Sequence, residues 1–173
     1  MRRQSGGGGG GGGAPTGPYL NIETCKTPGF TIHTALDPTH TPQNGCGLYC
    51  WQHAGGYHGN VWTIEQASSA GRYTIKATKN ETKCWRTAID PRHRPNNGCG
   101  LTLCGILAPG YDGAEWLIEI QLSGNFTIKS CKNPSKCLHT ALDPRHDVSN
   151  GTIHLWDSAP GYPGAEWKIY QAG

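Results

Sequence analysis

Thr34-Ala35-Leu36-Asp37-Pro38, Thr87-Ala88-Ile89-Asp90-Pro91 and Thr140-Ala141-Leu142-Asp143-Pro144 are one phrase written three times, 53 residues apart at each step. A histidine follows each Asp by three positions, at His40, His93 and His146, and an Asn-Gly pair comes next, at Asn44-Gly45, Asn97-Gly98 and Asn150-Gly151. Each unit closes on a segment that aligns without gaps: Trp51 to Trp62, Gly105 to Trp116 and Trp156 to Trp167. Its shared core is Ala-x-Gly-Tyr-x-Gly-x-x-Trp, with tyrosines Tyr57, Tyr111 and Tyr162. A repeat of this kind dictates the architecture. The three units, about 19–71, 72–124 and 125–173, fill residues 19–173 and leave no room for a second domain.

Within each unit the pattern predicts four short strands. The first, Tyr19–Thr24, Arg72–Thr78 and Asn125–Cys131, alternates apolar and polar residues. The second, Thr31–Leu36, Cys84–Ile89 and Cys137–Leu142, is stopped by Asp-Pro, because proline cannot donate to a ladder. Asn-Gly then signals a turn into the third, Gly47–Trp51, Gly100–Cys104 and Thr152–Trp156. The fourth is Val61–Gln66, Glu115–Gln121 and Glu166–Gln171. Twelve short strands in three equal units predict an all-β, closed architecture, the β-trefoil, in which six strands form a barrel and three hairpins cap it. Three units are too few for a propeller, and 53 residues are too many for a solenoid turn.

Composition agrees. Of the 173 residues 35% are apolar, with one Met and two Phe against six Trp and seven Tyr, a bias that disfavours a helical bundle. No apolar stretch is long enough for a membrane span. The net charge of +3 is scattered, so nucleic acid is not an expected partner. Residues 1–18 form a separate tail, dominated by Gly6 to Gly13 and without the apolar centre of a signal peptide. Such a run either stays disordered or packs as an extended arm along another chain, a possible route to self-association.

The third unit carries a resemblance. Cys137-Leu138-His139-Thr140-Ala141-Leu142-Asp143, then Asn150-Gly151-Thr152-Ile153-His154-Leu155-Trp156-Asp157, then Trp167-Lys168-Ile169 resembles a ricin-B-type (R-type) lectin repeat. That family shows Leu-Asp after the second strand, Asn-Gly-x-x-x-Gln-Leu-Trp in the third and Gln-x-Trp in the fourth. The resemblance implies a β-trefoil that binds glycans without catalysis. By position it puts the hydroxyl-binding carboxylate on Asp37, Asp143 and, more weakly, Asp90. The stacking ring falls on Trp51 and Trp156, with Gly105 in the second unit, and His154 stands where a site-lining Gln is often found. The Gln of Gln-x-Trp is Asn60, Ala114 and Ala165 here, and the adjacent galactose-binding Asn is Gly59, Gly113 and Gly164. The resemblance therefore does not carry galactose specificity over. Tyr57, Tyr162 and, more weakly, Tyr111 are the candidates to replace that contact.

Elementary chemistry gives each residue a plainer reading beside this one. Asp before Pro is ordinary turn chemistry. Trp62, Trp116, Trp167 and Trp85 lie in apolar strands and are expected in the core, whereas Trp51 and Trp156 directly precede polar loops. Nothing in the spacing brings His40, His93 and His146 together, so no metal or cofactor is expected. No nucleophile, zinc-protease or phosphate-loop motif is present, so no enzymatic activity is expected either. The eight cysteines offer local pairs, Cys131 with Cys137, Cys46 with Cys50 and Cys99 with Cys104. Cys25 and Cys84 are left over, although Cys84 could instead cross the hairpin to Cys104. Sequons at Asn80, Asn125 and Asn150, with the cysteines, point to an extracellular setting, and the missing signal peptide points to the cytosol. The leading expectation is a carbohydrate-binding trefoil, bivalent through units one and three. The second is a structural subunit of a larger extracellular assembly.

Overall fold

The computed structural model describes residues 13–34, 47–53, 55–56, 58–87, 95–97, 99–105, 112–140 and 153–173. Twelve strands run in chain order as β1 (Gly17–Thr24), β2 (Phe30–His33), β3 (Tyr49–Gln52), β4 (Trp62–Gln66), β5 (Arg72–Ala77), β6 (Asn80–Arg86), β7 (Thr102–Gly105), β8 (Trp116–Ile120), β9 (Phe126–Ser130), β10 (Asn133–His139), β11 (His154–Asp157) and β12 (Trp167–Gln171). Antiparallel pairing joins β1 to β4, β4 to β5, β5 to β8, β8 to β9, β9 to β12 and β12 back to β1. That is a closed six-stranded ring, which leaves no edge within the barrel. The remaining strands form three hairpins, β2–β3, β6–β7 and β10–β11.

Period-2 alternation explains how each unit fills the barrel. Ile22 faces Ile169, Ile64 faces Ile75 and Ile118 faces Ile128 across neighbouring strands. One layer along, Trp167 faces Thr24, Trp62 faces Ala77 and Trp116 faces Ser130. On one neighbouring strand a small side chain thus stands opposite each barrel indole, which gives the ring room to lie inward, while Leu20, Tyr73 and Phe126 stand opposite on the other. Leu48, Leu101 and Ile153 add a further buried trio at the feet of the hairpins.

Each indole also ties barrel to cap. Trp62 Nε1 donates to the Ile32 carbonyl at 3.0 Å, Trp116 Nε1 to that of Trp85 at 3.4 Å and Trp167 Nε1 to that of Leu138 at 3.2 Å. A buried N–H without an acceptor costs about 1–3 kcal/mol, so this bond fixes where each hairpin sits. A second tie repeats the pattern. The N–H groups of Thr34, Thr87 and Thr140 donate to the carbonyls of Gly59, Gly113 and Gly164, each at 3.0 Å. Those glycines lie in single 3-10 turns, His58–Asn60, Asp112–Ala114 and Pro163–Ala165, which the sequence pattern did not predict.

Several boundaries move from their expected places. The third strands begin two residues late, because Gly47 and Gly100 bridge instead to Thr102 and His154 of the following unit. Strands β6 and β10 begin four residues early, because the preceding turn is tight. In the first unit Pro28-Gly29, with Gly29 at φ +88°, forms a turn, and β2 begins at Phe30, one residue before its expected start at Thr31. The expected ends of the second strands, and residues 6–12 of the glycine run, lie outside the described residues.

Trp85 replaces the aliphatic residue found at Ile32 and Leu138. It packs edge-on between Trp62 and Trp116, at centroid distances of 5.1 and 6.0 Å. Its own Nε1 has no hydrogen-bond partner among the described residues. Trp62→Leu, which orphans the Ile32 carbonyl as well as leaving a void, is therefore expected to cost about 1–3 kcal/mol more than Trp85→Leu. Urea unfolding of the two variants measures the difference, and equal costs would refute the role given to the indole bond.

Candidate functional site

The hairpins turn one face to the core and one outward. Ile32 with Cys50, Trp85 with Leu103 and Leu138 with Leu155 point inward and are buried. The alternate residues make the outer faces: Thr31, His33, Tyr49 and Trp51 in the first unit, Cys84, Arg86, Thr102 and Cys104 in the second, Cys137, His139, His154 and Trp156 in the third. The geometry recurs while the chemistry changes. The register also corrects the ungapped alignment. Cys104, not Gly105, is the counterpart of Trp51 and Trp156, because Cys84 faces Cys104 as Thr31 faces Trp51 and Cys137 faces Trp156. The second unit carries one extra residue between its third strand and its 3-10 turn. Among the described residues its outer face lacks an aromatic ring either way.

In the first unit the outer face is knitted by amide and imidazole groups. Asn21 Nδ2 donates to the Asn60 carbonyl at 2.8 Å. Asn60 Nδ2 donates to Thr31 Oγ1 at 3.3 Å and to His53 Nδ1 at 3.2 Å. Thr31 Oγ1 lies 3.1 Å from His33 Nε2. Since Thr31 accepts from Asn60, its own proton is free to go to His33, which then serves as acceptor in the neutral form. Burial, with the nearby His53, pushes the His33 imidazole down to about 4.

Beside this network opens a cavity of about 340 Å³, lined by Tyr19, Asn21, His53, Gly55, Gly56, Asn60, Val61, Gln171, Ala172 and Gly173. It falls near the lower end of the roughly 300–1,000 Å³ of small-ligand pockets. Its polar side chains are amides, an imidazole and a phenol. Asn21 is buried, and its Oδ1 has no hydrogen-bond partner among the described residues. Tyr19 is half exposed and sits at φ +58°, a left-handed conformation that costs a non-glycine residue about 1–2 kcal/mol. Its carbonyl holds that conformation by accepting from Ala172 N at 2.7 Å and Gln171 Nε2 at 3.0 Å.

The third unit differs. His139 is buried, with Nε2 3.0 Å from the Asp157 carbonyl and 3.3 Å from Cys137 Sγ. Its ring packs against Tyr162 at 5.7 Å, and Lys26 Nζ lies 5.6 Å from the same tyrosine ring. The Asp157 carboxylate accepts from Lys136 Nζ and, at 3.0 Å, from Asn97 Nδ2 of the second unit. These bonds, Lys136 first, hold its carboxyl below the usual range. Trp156 and His154 are half-buried beside this cluster.

Of the residues singled out from sequence, Trp51, Trp156 and His154 lie on the outer faces, Asn60 is fully buried and lines the cavity, and Tyr162 is engaged with His139 and Lys26. Asp37, Asp90, Asp143, Tyr57 and Tyr111 lie outside the described residues. Sequence reasoning missed Thr31, His33, His53, Asn21 and Tyr19. Strand alternation opposite Trp51 could have found the first two. Glu115 and Glu166 are buried braces. Glu115 accepts from Ser68 and Arg72, and Glu166 from Ser123, Asn125 and Gly161 N.

No disulfide is present among the described cysteines. No disulfide joins Cys99 to Cys104, and the register puts Cys104 opposite Cys84 instead. Cys131 lies in the turn after β9, while Cys137 faces Lys129 and Trp156, and no disulfide joins that pair either. Cys50 is sunk in the core and its candidate mate Cys46 lies outside the described residues. Of the sequons, Asn80 accepts from Thr82 through Oδ1, Asn125 donates to Glu166, and Asn150 lies outside the described residues.

No family model and no curated protein matches the chain. Solved structures do. A designed threefold-symmetric protein, ThreeFoil, matches with a TM-score of 0.71 at 12% identity, over 88% of this chain and 98% of that one. The fold is a β-trefoil. A Polyporus squamosus lectin bound to a human-type influenza-binding epitope matches with a TM-score of 0.65 at 18% identity, over 91% of this chain. This trefoil spans 50% of that lectin's length. The C-half of an earthworm R-type lectin in complex with GalNAc matches with a TM-score of 0.57 at 16% identity, over 88% of this chain and 97% of that one. At these identities the likeness is one of fold.

The outer-face histidines make stability depend on pH. His33 titrates at about 4 in the native chain against 6.5 ordinarily, and burial pushes His139 and His154 down too. Between those values the unfolded chain binds protons that the native chain refuses, so stability falls as pH drops from about 6.5 to 4. Urea unfolding across this window is expected to show the fall, with a smaller slope in His33→Gln. An unchanged slope would count against a neutral buried His33.

Proposed function

We propose that this β-trefoil is a non-catalytic carbohydrate-binding module whose main site lies in the first unit. The observation that carries the reading is the cavity beside Asn21, Asn60 and His53, with the half-exposed Tyr19 at its wall. A sugar presents several hydroxyls and one apolar face. The exposed His53 imidazole suits a hydroxyl, and a flat ring such as Tyr19 suits the apolar face. Trp51 on the adjoining outer face extends the aromatic surface. Asp37 and Asp143 keep the hydroxyl-binding role that the R-type resemblance implies, and the Trp156 face supports a second, weaker site. Shallow sites bind weakly one at a time, and two on one rigid body gain by avidity on a multivalent glycan. The lectin neighbours bound to glycans support this reading at the level of fold.

A second reading, an assembly subunit, draws on the hairpin tip after β8. Ile120 and Leu122 are exposed there, where the aligned residues of the other units are Gln or small. Sizing of the native material distinguishes the two, since an obligate oligomer favours assembly.

A glycan array followed by calorimetry tests the lectin reading. At least one neutral or sialylated glycan class is expected to bind, and Trp51→Ala to weaken binding by about tenfold or more with stability little changed. No binding to any glycan at high protein concentration would reject it.

A further inference from the structure

The three outer faces differ most at one register. Thr31 faces Trp51 and Cys137 faces Trp156, but in the second unit Cys84 faces Cys104. Residues directly opposed on antiparallel strands have Cα atoms about 4.5–5.5 Å apart and side chains on one face. A disulfide spans Cα separations of about 4.4–6.8 Å, so this register meets its main requirement without backbone movement. Both thiols are buried, and Thr102 Oγ1 lies 4.0 Å from Cys104 Sγ. No other described cysteine has a cysteine opposite it. Cys50 faces Ile32, and Cys137 faces Lys129 and Trp156. Among the described residues the pair also occupies the one outer face without an aromatic ring.

We propose that Cys84 and Cys104 form an oxidisable pair, a covalent staple between β6 and β7 in the unit whose hairpin has no ring at the stacking position. The oxidant is a low-molecular-weight disulfide of the glutathione type. The thiolate of one cysteine attacks a sulfur of that disulfide, forms a mixed disulfide and expels one small thiolate. The thiolate of the second cysteine then attacks the protein sulfur of the mixed disulfide and expels the other. Two protein thiols and one small disulfide become one protein disulfide and two small thiols. The protein loses two electrons and two protons, and the small disulfide gains them.

Burial raises the Cys84 thiol above its ordinary range, with Arg86 and Lys76 acting the other way. Thiolate is therefore scarce in the folded chain near neutral pH. The bond forms as the chain folds, or when the β6–β7 hairpin opens, rather than as a fast response on the native surface. Once made, it closes the loop between Cys84 and Cys104 and shields β7, a terminal strand of its sheet, from fraying.

The full chain refolded in a reduced and oxidised glutathione buffer, alkylated in denaturant and mapped by mass spectrometry tests the proposal. A linked peptide joining Cys84 to Cys104, lighter by two hydrogens than its separate halves, is expected. A melting temperature higher by on the order of 5–10 °C than in dithiothreitol should accompany it. Cys104→Ser should abolish both differences. Recovery of both residues alkylated at the most oxidising ratio, or linked to other cysteines, would overturn the pairing. A linked peptide with no gain in melting temperature would overturn the staple. Should Cys104→Ser fail to fold, mapping of the unaltered chain under the two conditions decides.

Discussion

The bond from a barrel indole to a hairpin carbonyl is the constraint on which the rest of this trefoil depends. Trp62, Trp116 and Trp167 each bring a large apolar ring into the barrel and a single N–H that must find an acceptor there. The acceptor is a carbonyl of the second strand of the same unit, at Ile32, Trp85 or Leu138. One side chain therefore fills the core and sets the height of the cap. The small residues opposite, Ala77, Ser130 and Thr24, make the arrangement sterically possible. The bonds from Thr34, Thr87 and Thr140 to the 3-10 turns then fix the hairpins from the other side.

Inside this frame the three units are nearly interchangeable, and outside it they are not. Position by position the inner layers hold matched residues, mostly Ile, Leu or Trp, with Cys50 in the place of Leu103 and Leu155 and Trp85 as the largest departure. Its bulk is absorbed by edge-on packing against two other indoles. The outer faces carry no such constraint, because alternation turns them away from the core. There one unit has an amide–imidazole network, another a facing cysteine pair and the third a histidine packed at a tilt against a tyrosine. Symmetry of the scaffold and divergence of the surface thus follow from the same period of two.

The same distinction explains what could be read from the residues. Strand count and the buried tryptophans were legible, because they rest on patterns repeated three times. The displacement of Gly105 by Cys104 was not. It depends on which side of a loop holds one extra residue, and the ungapped closing motif hides that. By position Asn60 takes the place of the Gln of Gln-x-Trp, and the structure shows it buried and bonded to Thr31 and His53, a fact set by the turn that no periodicity announces. The cavity was invisible for a further reason. Its walls come from Tyr19 and Gln171 as well as from the first unit's own loop, and pairing across the barrel seam brings them together.

That seam sets the kinetics of the molecule. Hairpins within a unit join residues close in sequence, but β1 meets β12 across almost the whole chain, as the bond from Tyr170 to Glu23 at a separation of 147 residues shows. Closing so long a loop carries the largest entropy cost in the fold and is repaid only when the ring completes. The barrel therefore has a last step. Until that step the cavity has one wall, the Tyr19 backbone has nothing to hold it in its left-handed state, and ligand recognition waits on closure.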